Sequence, residues 1–104
     1  MNLTPEQKQF FEKNKIVILS TCDENNQSRA IYATLQKVND DSLVIYNLRM
    51  DETEQNLLHN NKIFVMSLDK TFQTYLKITG IAQYKEEGDN KVITIQIKDI
   101  QEEK

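Results

Sequence analysis

Through residues 92–98 apolar and polar residues alternate, with Ile93, Ile95 and Ile97 set against Thr94 and Gln96. A period of two sends successive side chains to opposite faces of an extended chain, so this segment can bury one face of a strand and wet the other. Five earlier stretches read as strands as well: residues 15–22, 28–38, 43–46, 63–68 and 74–84. Asp, Asn, Gly and other polar residues at 23–27, 39–41, 70–73 and 86–90 supply the turns and connectors between them. Strands this short at hairpin spacing predict a small, mainly β domain, a six-stranded antiparallel barrel.

Two helices are predicted beside them. Thr4 can cap the first, Pro5 suits its first position and Gln7 can reach back to close a capping box, while Phe10 and Phe11 give it an apolar side. Asp51 with Glu54 reads as the start of a second, carrying Leu57 and Leu58 and stopping at Asn60 and Asn61. A strand followed by a helix start gathers unpaired backbone N–H groups at one corner, a place suited to an anion.

Three strand stretches carry further detail. In residues 28–38, Arg29, Ile31, Ala33 and Leu35 share a face, so a guanidinium opens an otherwise apolar row. It either reaches solvent at the rim or meets an anion, since burial without a partner costs several kcal/mol. Ile16, Val17, Ile18 and Leu19 read as a strand buried on both faces. Gly80 shares a side with Leu76, Ile78 and Ala82, and a glycine inside a strand marks a bulge, a bend or the close approach of another backbone.

At 104 residues the chain is expected to form one domain over residues 1–104, large enough to bury a core without staples. A net charge of −3 with both signs interspersed leaves no basic stripe for nucleic acid. Two glycines cannot build a Gly-rich phosphate loop, one cysteine cannot form an internal disulfide, and one histidine argues against a zinc site. Cys22 reads as a small buried hydrophobe, and His59 as a partner for a helix C-terminus. The apolar run at residues 16–19 is too short for a signal core or a membrane span, so the expectation is a cytoplasmic protein with no membrane partner.

The order of elements, with Arg29-Ala30-Ile31, Ile45-Tyr46-Asn47, Thr53 with Asn56-Leu57, and Lys77-Ile78-Thr79-Gly80-Ile81-Ala82, resembles the FMN-binding split-barrel family typified by pyridoxamine 5'-phosphate oxidase. The resemblance covers nearly the whole chain. It implies a split barrel that binds FMN at a homodimer interface and passes electrons or a hydride between a donor and a small substrate. In that picture Arg29, Arg49 and Thr53 hold the phosphate, Tyr46 and Asn47 line the ribityl chain or ring, and Thr74 and Tyr75 reach the partner's flavin. Glu52 stands where the family usually places a lysine, flanked by Asp51 and Glu54. Carboxylates gain about 0.3–1 kcal/mol each in a first helical turn but repel a phosphate there. A second reading therefore stands beside the first: a split-barrel dimer without flavin, acting as a binding module or holding another planar cofactor such as haem or a deazaflavin. On the same resemblance, the C-terminal segment with which the oxidase grips its substrate is not expected after the last strand, and pyridoxamine phosphate itself is not the substrate expected.

Overall fold

The structure, a computed structural model, describes residues 2–22, 28–46, 61–69, 75–87 and 90–103. Among them lie one helix, α1 (Pro5–Lys13), and seven strands: β1 (Ile16–Cys22), β2 (Ser28–Thr34), β3 (Lys37–Val38), β4 (Ser42–Tyr46), β5 (Lys62–Leu68), β6 (Tyr75–Glu87) and β7 (Asn90–Glu103). The strands form one sheet in the order β2-β1-β5-β6-β7-β4-β3. Every pairing is antiparallel, and the sheet curls into a split barrel. The second predicted helix, at residues 51–60, lies outside the described residues.

Seven strands replace the six expected because residues 28–38 change partner midway. The Leu35 N–H donates to the carbonyl of Lys15, and the very next N–H, that of Gln36, donates to Val44 on β4. β2 and β3 are therefore one chain segment bent at a corner, and because they occupy opposite ends of the sheet order, the bend joins the sheet's two ends. Period-two reading sees the strand on each side of such a corner but not the corner itself.

The inward face is a continuous apolar core. Leu19, Leu43, Ile45, Ile63, Val65, Ile78, Ile95 and Ile97 are all fully buried. α1 covers one end of it. The Thr4 hydroxyl accepts from the Gln7 N–H while the Gln7 side chain accepts from the Thr4 N–H, the capping box expected from the sequence. So fixed, the helix puts Phe11 into the core, and the Ser67 hydroxyl, buried on β5, donates to the carbonyl of Asn14 just past the helix. Leu3 packs in the core too, and its N–H donates to Asp40 in the β3–β4 turn.

Gly80 sits at a bulge. Thr79 pairs with Asp99 but Gly80 pairs with Ile97, leaving Lys98 as the extra residue on β7. A Cβ on Gly80 would stand 2.6 Å from the Gln96 carbonyl oxygen and 2.6 Å from Ile95 Cγ2, so two backbones meet where only glycine fits. The extra residue also reverses the alternation of β7. Ile93, Ile95 and Ile97 face inward before it, and Ile100, opposite Ile78, packs against the core after it. β7 runs on to Glu103, five residues beyond the strand expected from the isoleucine alternation.

Candidate functional site

The strands that wall the core also carry apolar residues on the opposite, outward face. On β5, Ile63, Val65 and Ser67 are buried in the barrel while Phe64 and Met66 stand between them, partly exposed. On β1, Val17 and Leu19 point inward, Ile18 is half-buried, and Ile16 is 66% exposed. This corrects the expectation that residues 16–19 are buried on both faces: among the described residues nothing covers the outer side of Ile16. Tyr32 on β2, opposite Ile18, is 78% exposed.

The outer face is not smooth. A cleft of ≈ 440 Å³ is lined by Ile18 and Ser20 from β1, Ala30 from β2, Phe64 and Met66 from β5, and Tyr75 and Lys77 from β6. The register brings them together: Ser20 lies opposite both Ala30 and Phe64, and Met66 opposite both Ile18 and Lys77. Its volume falls in the range of roughly 300–1,000 Å³ usual for small-molecule sites, and its lining of mostly apolar side chains with a few polar groups is the usual composition of one.

Two lysines stand at Phe64, of which Lys77 belongs to the cleft wall. The Lys62 ammonium lies 5.5 Å from the ring centroid and that of Lys77 lies 5.4 Å from it, within the range in which the ring quadrupole attracts a cation. Lys62 precedes Phe64 by two on the same strand, and Lys77 neighbours it diagonally across the β5–β6 pair, because Phe64 is opposite Thr79. Both therefore rise from the same face as the ring. Farther across the sheet, the bulge at Gly80 sets Asp99 and Gln101 opposite Thr79 and Lys77.

The site residues read from sequence are dispersed. Tyr75 lines the cleft. Arg29 sits at the start of β2, exposed at the rim and opposite the buried Thr21, one residue from the cleft residue Ala30. Tyr46 closes β4, 37% exposed and opposite Val92, and is not part of the cleft wall. Asn47, Arg49, Thr53 and Thr74, with the acids Asp51, Glu52 and Glu54, lie outside the described residues. Phe64, Met66, Lys62 and Lys77 are the residues that sequence reading passed over. A signal existed: in residues 62–68 the alternation has apolar residues on both phases, so the strand has two faces to cover rather than one. Among the described residues no three His, Cys, Asp or Glu side chains gather as metal ligands, and no helix is long and apolar enough to cross a membrane.

Residues 3–102 match the family model of pyridoxamine 5'-phosphate oxidase. A search of curated proteins found no match. Among solved structures, the chain is similar to HupZ of Group A Streptococcus, with TM-score 0.85 and 17% identity over 96% of this chain and 93% of that one. A Lactobacillus delbrueckii protein, proposed to be a pyridoxamine 5'-phosphate oxidase, superposes with TM-score 0.85 and 18% identity over 96% of this chain and 93% of its own. HutZ, the haem storage protein of Vibrio cholerae, does so with TM-score 0.78 and 18% identity over 99% and 96%. At these identities the structures establish the fold.

Proposed function

Since the chain belongs to the pyridoxamine 5'-phosphate oxidase family, we propose that it is an FMN-binding flavoprotein, a homodimer that carries out oxidation and reduction on a small molecule. The observation that carries this reading is the outer cleft, an apolar concavity with the Lys77 ammonium in its wall, which suits a planar ring bearing an anionic tail. Ile18, Met66 and Tyr75 offer the ring an apolar bed, and Ser20 is a hydroxyl within the lining that can donate or accept. FMN, when bound, supplies the redox chemistry, and the protein supplies orientation, electrostatics and exclusion of water. No side-chain acid or base is required of the chain for that.

A second copy of the chain completes the site. The cleft is open on its outer side, and the exposed Ile16 and Tyr32 extend its apolar surface over β1 and β2. Covering that surface removes it from water at roughly 25 cal/mol per Å² of apolar area and converts an open groove into a closed one. Arg29, Arg49 and Thr53 for the phosphate, Tyr46 and Asn47 for the ribityl chain or ring, and Thr74 with Tyr75 toward the partner's flavin are the assignments that the family resemblance adds. The purified protein is expected to be yellow and to quench FMN fluorescence at micromolar concentration. A colourless protein without quenching would reject the flavin reading.

One feature favours a second reading, in which the same cleft takes another planar anionic cofactor such as haem. Asp51, Glu52 and Glu54 place carboxylates where the resemblance expects phosphate to bind, and one of the similar structures is a haem storage protein. The two readings separate at Glu52. If its carboxylate opposes a phosphate, Glu52→Lys tightens FMN binding by about 1–3 kcal/mol, read by the same titration. An unchanged affinity would mean that no phosphate approaches that residue.

A further inference from the structure

We propose that Lys77 alone selects the ligand by charge, its ammonium taking an anionic oxygen at one end of a planar molecule seated in the cleft. The proposal rests on the cleft being a site for such a ligand, and it departs from the family resemblance, which assigns the anion to Arg29 and the middle helix. Lys77 is half-buried, and among the described residues it is the one charged member of the cleft wall. The other hydrogen-bonding side chains of that wall, Ser20 and Tyr75, carry neutral hydroxyls. The Lys77 ammonium lies 5.4 Å from the centroid of Phe64, a ring that attracts a cation without neutralising it. No ion pair engages this ammonium among the described residues.

Register explains why the charge is left for a ligand. β6 runs between β5 and β7, and the residues directly opposite Lys77 on those strands, Met66 and Gln101, are uncharged. Phe64 on β5 and Asp99 on β7 both sit opposite Thr79, diagonal to Lys77 on either side. The ammonium leans over Phe64, and so away from the carboxylate. Phe64 is thus a positioning residue, its ring fixing the ammonium on the cleft side of β6. Lys62 approaches the same ring but is exposed, stands outside the cleft wall and has a further partner of its own, so it takes no part. While the groove is open, water serves the Lys77 ammonium. Once a ligand and a second copy cover it, that water is lost, and a neutral acceptor offsets the loss only in part. An anionic oxygen restores it through a charge-assisted hydrogen bond. The ligand class that follows has a flat apolar body over Ile18 and Met66 and one acidic end toward Lys77.

A flavin phosphate and haem carboxylates share this chemistry, and titrating four compounds against the full chain separates them: FMN and riboflavin by fluorescence, haemin and its dimethyl ester by absorbance. The unmodified protein is expected to prefer the anionic member of one pair by about tenfold or more. Lys77→Met should lower that preference by about tenfold, the loss expected for one charge-assisted contact, with affinity for the neutral member unchanged and thermal unfolding showing the fold retained. Lys77→Arg, which keeps the charge, should keep most of the preference. Phe64→Leu should lower it by about threefold, and Lys62→Met should leave it as it was. A preference undiminished in Lys77→Met, or lowered as far by Lys62→Met, would overturn the role of Lys77 while leaving the cofactor reading intact. Equal losses for the anionic and neutral members would overturn it too, since the ammonium would then meet the ring they share. Preference confined to the haemin pair would support Lys77 and reject FMN. Failure of all four compounds to bind would reject both the cofactor reading and the role given to Lys77.

Discussion

The two faces of β5 differ by one residue in sequence and by nearly everything in environment. Ile63 and Val65 are fully buried in a core that the chain completes by itself, whereas Phe64 and Met66 form part of a groove that it leaves open. The inner face is closed because the β2–β3 bend joins the two ends of the sheet and α1 covers one end of the barrel. The outer face has the apolar content of an interior without the enclosure. Apolar side chains on both phases of a strand therefore state how many faces must be covered, and not that one chain covers them both.

That contrast breaks most severely if inner and outer substitutions prove equivalent. Ile78→Ala empties a fully buried position and is expected to cost about 2–5 kcal/mol in urea unfolding, independent of protein concentration. Met66→Ala, on the outer face, should cost about 1 kcal/mol in dilute protein and more as concentration rises, if the proposed dimer buries that side chain. Equal costs at all concentrations would mean that the outer face is never covered. Gly80→Ala belongs with the inner set: its new methyl meets the Gln96 carbonyl oxygen at 2.6 Å, and a cost of about 1–3 kcal/mol follows from the forced backbone shift.

The outer face yields a sharper test by charge. Tyr32 is 78% exposed, so Tyr32→Glu should alter the stability of the isolated chain by no more than about 0.5 kcal/mol. Set against a second copy across a two-fold axis, the same carboxylate is buried without a partner. On the proposed assembly, sedimentation should then show monomer for the variant and dimer for the unmodified protein. A variant that still dimerises would place the partner on another surface.

How far the chain announces this arrangement differs between the two faces. Alternation at residues 92–98 and the capping signature at Thr4, Pro5 and Gln7 lead to β7 and α1, and Gly80 marks the bulge, because local rules of period and backbone sterics govern each. The bend at Leu35 and Gln36 was not legible, since it depends on which strand lies beside each residue. The length of β7 was hidden for a related reason: the extra residue at Lys98 reverses the alternation, so Ile100 falls out of phase with the isoleucines before it. The cleft was hardest to foresee. Its lining comes from four strands, and Lys62 and Lys77 become neighbours only through the register of β5 with β6. Family resemblance directed notice to Arg29, residues 46–53, Thr74 and Tyr75, of which Arg29, Tyr46 and Tyr75 are described and only Tyr75 lines the cleft.

The smallest expected effect separates the faces most cleanly. Thr4 lies at the cap of α1, a helix that puts Phe11 into the inner core, accepts from Ser67 of β5 at Asn14, and reaches Asp40 through Lys8 and Glu102 through Gln7. Thr4→Ala removes the hydroxyl that accepts from the Gln7 N–H and should cost about 1 kcal/mol of unfolding stability. It touches none of the strands that line the cleft, so ligand affinity and dimerisation should stay as they were. If instead binding weakened in step with stability, the inner core and the outer groove would be coupled through the sheet they share, and the division drawn between them would hold for packing but not for function.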